Sequence, residues 1–155
     1  MKLTSQWIAG FVDGEGCFHI GYYKTGQIQP EFVVVQHTRS VKVLYGLKSF
    51  FGCGSVRRQK PNLWAYRVRN RAHILDKIIP FFEKNQLKTI KKVDFMRFRW
   101  ITIQLSRGKH LTDEGLKWIL RVRNLMNRDR IIRLPFHSLT KRIGEYSYKI
   151  ESTNI

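Results

Sequence analysis

Two hairpin-helix units follow one another in this chain, and their order limits the folds that it can adopt. Residues 17–36 and 55–69 each alternate as two β-strands around a short turn rich in Gly, Pro or Asn. Apolar residues at helical spacing follow the hairpins, over 40–51 and 71–82. Because another helix-forming stretch precedes the first hairpin, the predicted order of elements is αββαββα.

Two more periodic segments, at about 90–105 and 113–127, predict additional C-terminal helices. Ser40 and Thr112 stand where helix N-caps are expected, and Gly52 stands where a helix would stop. We therefore predict an α+β fold in which a four-stranded antiparallel sheet carries its helices on one face. The sequence after about residue 130 is basic and rich in turn residues, so no defined fold is predicted there.

Side-chain alternation along the strands predicts one apolar and one polar sheet face. The predicted core side holds Phe18, Ile20, Tyr22, Ile28, Pro30, Phe32, Val56, Tyr66 and Val68. The predicted open side holds Cys17, His19, Gly21, Tyr23, Gln27, Gln29, Glu31, Ser55, Arg57, Gln59, Ala65, Arg67 and Arg69. A half-solvated sheet often carries charge on its wet side, but several of these side chains can also hydrogen-bond base edges in the DNA major groove.

The charge of the chain indicates its class of partner. Its 155 residues include 29 Lys and Arg against 11 Asp and Glu, a formal charge of +18. Nucleic acid is the expected partner, whereas no apolar run is long enough to span a membrane and we expect no membrane association. Two cysteines and five scattered histidines lack zinc-ligand spacing, and no small-molecule cofactor is expected. With no secretory segment evident, we expect an intracellular, non-secreted protein.

The segment at residues 7–16 combines three glycines with two carboxylates. Gly10 and Gly14 are four residues apart, so they share one face of the predicted helix at a cost of roughly 1 kcal/mol each. Removing side chains from a helix face lets a second backbone approach, which predicts a helix-helix interface. Asp13 and Glu15 lie near the negative end of the helix dipole, so a nearby positive charge is expected. Alternatively, Asp13 braces backbone amides and Glu15 is a solvated turn residue.

The sequence IAGFVDGEG at residues 8–16 closely resembles the signature of the LAGLIDADG homing endonucleases. The resemblance implies a homing-endonuclease fold with a saddle-shaped, DNA-binding sheet, in which the signature helix packs on its counterpart and delivers an acidic residue to the active site. With one motif, it implies a homodimer that cuts a long, nearly palindromic site across the minor groove. The predicted endonuclease domain is 1–130, and residues 131–155 form a basic tail that orders on DNA or wraps on the surface.

The predicted active site is centred on Glu15. Hydrolysis of a phosphodiester needs an activated water and neutralised charge, which divalent cations supply, and a few oxygen ligands suffice for Mg²⁺. We expect Mg²⁺, with Mn²⁺ as a substitute and Ca²⁺ supporting binding without cleavage, held by Glu15 and the Gly14 carbonyl. The resemblance implies two further catalytic residues, Gln36 and Lys91, with Lys88 as the alternative lysine. Some relatives carry an arginine after the glutamine that corresponds to Gln36. This chain has Arg39 and Ser40 in that region, so no residue is assigned to the role of that arginine.

Two sets of contact residues complete the predictions. The expected dimer interface consists of Trp7, Gly10, Phe11, Asp13 and Gly14. The expected DNA-binding residues are His19, Tyr23, Gln29, Arg57, Gln59, Arg67 and Arg69. The alternative function is that of an RNA maturase or of a cleavage-inactive nucleic-acid-binding protein. The expected location is an organelle, such as a chloroplast or mitochondrion, or a prokaryotic cytoplasm.

Overall fold

The computed structural model describes residues 2–127, and the predicted tail at 131–155 lies outside them. The elements are α1 (Ser5–Glu15), β1 (Gly16–Tyr22), β2 (Ile28–His37), α2 (Val41–Phe51), β3 (Ser55–Lys60), β4 (Leu63–Val68), α3 (71–84), α4 (Lys91–Ser106) and α5 (Asp113–Arg123). The predicted αββαββα order, the α+β class and the C-terminal helices are confirmed. Over the described part of the chain, no helix is long and apolar enough to cross a bilayer.

The four strands form one antiparallel sheet in the order β1-β2-β4-β3. Phe18 of β1 lies opposite Phe32 of β2, and Phe32 lies opposite Val68 of β4. The long β2 strand therefore joins the two hairpins, and its inward side chains lie at the middle of the sheet. This pairing places the two predicted hairpin-helix units side by side on one layer.

The hydrophobic core lies between the sheet and the helices and is dominated by aromatic rings. Phe18 is fully buried, and its ring centroid lies 5.2–5.4 Å from those of Phe32, Phe82, Phe95 and Phe98. These rings come from β1, β2, α3 and α4. One residue of β1 therefore ties both strands of the first hairpin to two helices, and offset and edge-to-face aromatic pairs of this kind add to the burial of apolar area.

Helix ends follow local chemistry at two of the three predicted positions. Gly52 ends α2 in the left-handed conformation at φ 60°, which glycine adopts without a Cβ penalty. The Thr112 hydroxyl accepts from the Gly115 amide and caps α5. The prediction that Ser40 caps α2 is wrong: its side chain makes no capping hydrogen bond, because the single turn Thr38–Ser40 precedes the helix and His37 Nδ1 accepts from the Arg39 amide.

Helix α3 consists of three successive segments, Arg71–His73, Ile74–Ile78 and Ile79–Lys84, and the middle one is a wide turn. There the Ile79 amide donates to the Ile74 carbonyl, five residues back. Pro80 follows directly; it has no amide hydrogen, and its ring would clash with the carbonyl four residues earlier in a regular α-helix. The wide turn accommodates Pro80 while Ile74, Ile78 and Ile79 stay buried.

Two apolar side chains differ in exposure from what their predicted sheet faces imply. Tyr22 was expected in the core, but it is 42% exposed, because it lies opposite Ile28 in the last pair before the hairpin turn, at the margin of the sheet. Ala65 was expected to face solvent and is only 1% exposed. Its register partners Val35 and Arg57 flank it on both sides, so their larger side chains cover the small one.

We expect Phe18→Ala to lower the free energy of unfolding by about 3–5 kcal/mol, because it removes the ring shared by four aromatic neighbours. Urea unfolding followed by circular dichroism measures the change. Tyr22→Ala in the same strand is the control, with an expected change within about 0.5 kcal/mol because the ring is exposed. Equal effects of the two substitutions would contradict the assignment of Phe18 as the centre of the core.

Candidate active site

Helix α1 has one face in the core and one face open. Ile8 and Val12 are fully buried, whereas Trp7, Gly10 and Gly14 are exposed. A Cβ placed on Gly10 or Gly14 would meet nothing within 4 Å among residues 2–127. No close contact among the described residues therefore requires glycine at these two positions.

The aromatic residues predicted for the interface lie on the same open face. Trp7 is 43% exposed and stacks on half-buried Phe11, with ring centroids 4.8 Å apart. Positions 7, 11 and 14 succeed one another at helical spacing, so the stacked rings lie beside the glycines. The face thus combines an apolar platform with a strip of bare backbone.

The chain leaves α1 by a sharp change into β1. The Gly16 amide donates the last helical hydrogen bond, to the Val12 carbonyl, and Gly16 already has extended φ and ψ. A Cβ on Gly16 would lie 2.5 Å from Val12 Cγ1, so only glycine fits this close approach. The turn leaves Glu15 exposed at the helix end, and it leaves the Gly14 carbonyl beyond the last helical hydrogen bond.

Asp13 binds the segment that precedes α4 in its own chain. Its carboxylate accepts from the Lys88 amide at 2.9 Å, from the Thr89 amide at 3.1 Å and from the Thr89 hydroxyl at 2.6 Å. Burial alone would raise the pKa of Asp13, but these hydrogen bonds and the charge of Lys91 outweigh it and lower the pKa below its ordinary value. Asp13 thus braces backbone amides, as the alternative reading of the sequence held; its place in a dimer interface stays a prediction.

The structure brings the three predicted catalytic residues together. Gln36 Nε2 donates to Glu15 Oε2 at 3.1 Å, and the Lys91 ammonium donates to the Gly16 carbonyl. Lys91 therefore supplies the positive charge expected at the negative end of α1. Lys88 contributes its backbone amide to Asp13, and the ammonium beside the motif is that of Lys91.

The oxygen atoms at this helix end fit a hard divalent cation as a partial ligand set. The Glu15 carboxylate and the free Gly14 carbonyl are the ligand types that Mg²⁺ prefers. Within residues 2–127, no three His, Cys, Asp or Glu side chains come together as a metal site. A cation held at Glu15 would therefore need further oxygens from a phosphate or from a second copy of the chain.

The residues predicted to bind DNA lie on the open side of the sheet and at its hairpin turn. His19, Tyr23, Arg57, Gln59 and Arg69 are exposed, whereas Gln29 and Arg67 are half-buried. Tyr23 follows β1 at the hairpin turn, where its carbonyl accepts from the Gly26 amide. Cross-strand register sets Ser55 of β3 opposite Arg67 and Arg57 opposite Ala65, so Arg57 and Arg67 are diagonal neighbours across β3 and β4.

Several of these side chains form one network around Glu31. The carboxylate of Glu31 forms ion pairs with both Arg67 and Arg69. With its amide oxygen facing the guanidinium, Gln59 accepts from Arg67 Nε at 3.0 Å. Gln29 Nε2 donates to the Arg69 carbonyl at 2.8 Å. Sequence alternation placed Glu31 on this face but missed its role, because only the register shows which arginines it meets.

The last residue of α5 and the segment that follows it also hold the edge of the sheet, a function that periodicity did not reveal. Arg123 Nε donates to the Ile20 carbonyl at 2.7 Å, and Asn127 Nδ2 donates to the Phe18 carbonyl at 2.9 Å. Both acceptors belong to β1, an edge strand whose outer backbone groups would otherwise lack partners. The second half of the chain therefore closes the sheet beside His19.

These features define an α+β protein with a one-sided antiparallel sheet, a basic open face and a carboxylate at the end of a glycine-faced helix. Residues 8–102 match the family described as LAGLIDADG endonuclease, which is more than half of the chain. The chain therefore belongs to the LAGLIDADG endonuclease family. The matched segment begins in α1 and ends in α4, so it contains the motif helix, the whole sheet and Lys91.

Solved structures and a curated relative agree with this assignment. The chain is 47% identical to the homing endonuclease I-TnaI, with a TM-score of 0.77 over 92% of this chain and 96% of that one. It is 30% identical to the LAGLIDADG homing endonuclease I-GzeII, solved in complex with its DNA target, with a TM-score of 0.81 over 84% of this chain and 46% of that one. It is 31% identical over 120 residues to the "Probable intron-encoded endonuclease 2" of Neurospora crassa, covering 77% of this chain but 26% of that protein.

We expect Asp13→Asn to lower the free energy of unfolding by roughly 1 kcal/mol at pH 7, as for the loss of a capping carboxylate. Because the folded state lowers the pKa of Asp13, its contribution is complete above the ordinary value of 3.8 and is lost as pH falls through the lowered one. Urea unfolding of both proteins from pH 7 to pH 2 measures the difference, which should shrink below about pH 4. A difference that stays constant with pH would contradict the role assigned to the carboxylate, and Asp76→Asn on an exposed site is the matched control.

Proposed function

We propose that this protein is a site-specific homing endonuclease that cuts double-stranded DNA as a metal-dependent homodimer at a long, nearly palindromic target. The observation that carries the proposal is the grouping of Glu15, Gln36 and Lys91 at the end of α1. These residues lie beside a basic sheet face, in a chain that belongs to the LAGLIDADG endonuclease family. Neither a structural carboxylate nor a solvated turn accounts for that grouping.

DNA is the proposed partner because of the charge and the shape of the open face. The chain carries a formal charge of +18, and the side chains on that face include Arg57, Arg67 and Arg69. A two-stranded β-ribbon fits the major groove, where arginine and glutamine distinguish base pairs. The DNA complex of I-GzeII supports this partner. We place the protein inside a cell or organelle whose genes contain introns, since curated relatives are named intron-encoded.

A homodimer is proposed because the site in one chain is half of what the reaction needs. Cutting both strands of a duplex requires two sets of reacting groups, and the described chain has one motif carboxylate, Glu15. This chain also matches 46% of the length of I-GzeII, which supports the idea that two copies do the work of one longer chain. The open face of α1, with Gly10 and Gly14, offers the surface for a two-fold contact.

The chemistry proposed for each residue follows from its surroundings. A bound Mg²⁺ supplies charge neutralisation for the phosphate and a lower pKa for attacking water, with Mn²⁺ as a substitute and Ca²⁺ supporting binding only. Glu15 and the Gly14 carbonyl would hold that ion. Gln36 orients the Glu15 carboxylate through its amide and leaves its own carbonyl oxygen to direct a water. Lys91 adds positive charge where the phosphate becomes more negative.

We expect Glu15→Gln to reduce cleavage at least 10²-fold while leaving DNA affinity largely unchanged, because the amide removes the charge that holds the cation. The substrate is the intron-free form of the gene that carries this reading frame. Cleavage is followed in Mg²⁺ and binding in Ca²⁺. Glu114→Gln is the control, because it removes one exposed charge from α5, away from the site.

Each outcome of that experiment separates the proposed activity from its alternatives. Binding without cleavage by the wild-type protein in Mg²⁺ would favour a cleavage-inactive binder, and restored splicing of the intron RNA would favour a maturase. Full cleavage by Glu15→Gln would overturn the role of Glu15. Cleavage by the wild type and none by the variant, with equal binding, is the expected result.

We expect Gly10→Leu to leave the folded chain at least as stable and to convert the dimer to a monomer. A Cβ at position 10 meets no atom within 4 Å in the described part of the chain, and leucine raises helix propensity by up to about 1 kcal/mol, but its side chain would separate two α1 helices in a dimer. Sedimentation velocity gives the mass and thermal unfolding gives the stability. Ser49→Leu, at an exposed helical position on α2, is the control and should remain a dimer. An unchanged mass for Gly10→Leu would contradict the proposed interface.

A further inference from the structure

An acidic side chain lies in the middle of the basic face. Glu31 belongs to β2, an inner strand of the sheet, and only 6% of the residue is exposed. It lies opposite His19 of β1, on the side of the sheet that carries Gln29 and Arg67. A negative charge at this place weakens the attraction of the face for phosphates. Glu31 therefore needs a role other than raising the affinity of this face for DNA of any sequence.

The contacts of Glu31 show what it does to its neighbours. Its two carboxylate oxygens are divided between two arginines, with Oε1 bound by Arg67 Nη1 and Oε2 by Arg69 Nε. The carboxylate is almost covered, while 27% of the Arg67 side chain and 57% of the Arg69 side chain remain exposed. Glu31 therefore lies beneath the two guanidinium groups and determines their directions.

The outer sides of the two arginines differ in what they offer to a ligand. Arg67 is also held by Gln59, a neutral exposed residue that a base edge can displace. For the terminal nitrogens of Arg69, no acceptor is found among residues 2–127. Each guanidinium is thus held by Glu31 on the side that faces the sheet, and its solvent-facing side can bind a ligand.

We propose that Glu31 is a positioning residue for sequence reading, holding Arg67 and Arg69 in orientations that suit base edges while limiting their attraction for DNA of any sequence. Bidentate reading of guanine depends on the direction of the planar guanidinium, whereas contact with a phosphate depends mainly on charge. A buried carboxylate that binds both guanidinium groups fixes their directions and reduces the net positive charge that they present to phosphates. This inference rests on the proposed DNA-binding function.

The test compares discrimination between sites with attraction to all sites. The preferred site of the wild-type protein is selected from random duplexes in Ca²⁺, and affinities are measured for that site and for single base-pair changes at several salt concentrations. We expect Glu31→Gln to lose roughly tenfold in discrimination at the base pairs that Arg67 and Arg69 contact. We also expect log affinity to depend on log salt more steeply by about one unit, because one more positive charge meets phosphate. Glu114→Gln, which changes net charge equally, should keep the wild-type discrimination.

A second variant separates geometry from charge and remains informative if Glu31→Gln folds poorly. Glu31→Asp keeps the negative charge but is too short by one methylene to reach both arginines. We expect it to lose discrimination at the same base pairs without a change in the salt dependence. Wild-type discrimination in Glu31→Asp would overturn the proposal, and so would an equal loss of affinity for every sequence in Glu31→Gln.

A mutant cycle that combines Glu31→Gln with substitutions of the two arginines tests whether Glu31 acts on discrimination through them. In a protein that carries Arg67→Gln and Arg69→Gln, adding Glu31→Gln should cause no further loss of discrimination, because the groups that it positions are gone. A persisting loss would show that Glu31 acts elsewhere and would overturn the proposal. If the wild-type protein selects no preferred site, the proposed function fails together with this inference. If it selects a site that all Glu31 variants read equally well, only this inference fails.

Discussion

The arrangement of the site depends on the binding of two backbone amides and one hydroxyl by Asp13. This contact joins the last turn of α1 to residues 88 and 89, across 75 positions of sequence. Helix α4 starts directly afterwards, so the same contact sets the position of Lys91 beside Gly16. Without it, the negative end of α1 would have Glu15 exposed and no fixed cation near it. Asp13, which binds backbone amides, thus fixes the surroundings of the exposed Glu15 carboxylate.

Helix α1 carries features that contacts among residues 2–127 do not explain. Two glycines in a helix cost roughly 1 kcal/mol each, and a Cβ added at Gly10 or Gly14 would meet no atom within 4 Å among residues 2–127. The stacked pair Trp7 and Phe11 likewise leaves a large ring partly in water. These properties are understood if the face is covered by a second helix, which supports the proposed dimer. They also match the partial ligand set at Glu15, which lacks the oxygens for a complete metal site.

Alternate side chains along each strand point to opposite faces of the sheet, so the residues that form the core are separate from the polar residues proposed to bind DNA. Its inner face places Phe18 and Phe32 in the aromatic core, and its outer face carries the arginines and glutamines. Residues on the outer face can therefore differ in side-chain direction without disturbing the core. Glu31 is the exception, since it is buried among polar neighbours and its ion pairs join β2 to Arg67 of β4 and to Arg69, which follows that strand.

The sequence by itself determined the order of elements, the apolar and polar faces of the sheet, and the place of Glu15 at the end of the motif helix. Side-chain period and the motif are local properties, so no tertiary contact is needed to recognise them. It left open whether Lys88 or Lys91 lies beside the motif, it placed Tyr22 in the core, and it assigned a cap to Ser40. The tertiary structure showed the Lys91 ammonium on the Gly16 carbonyl, Tyr22 exposed beside the hairpin turn, and a separate turn before α2 at Ser40. Gln36 meets Glu15 across 21 positions and Glu31 meets Arg67 across 36. Such contacts follow from strand register and helix docking, which no local pattern contains.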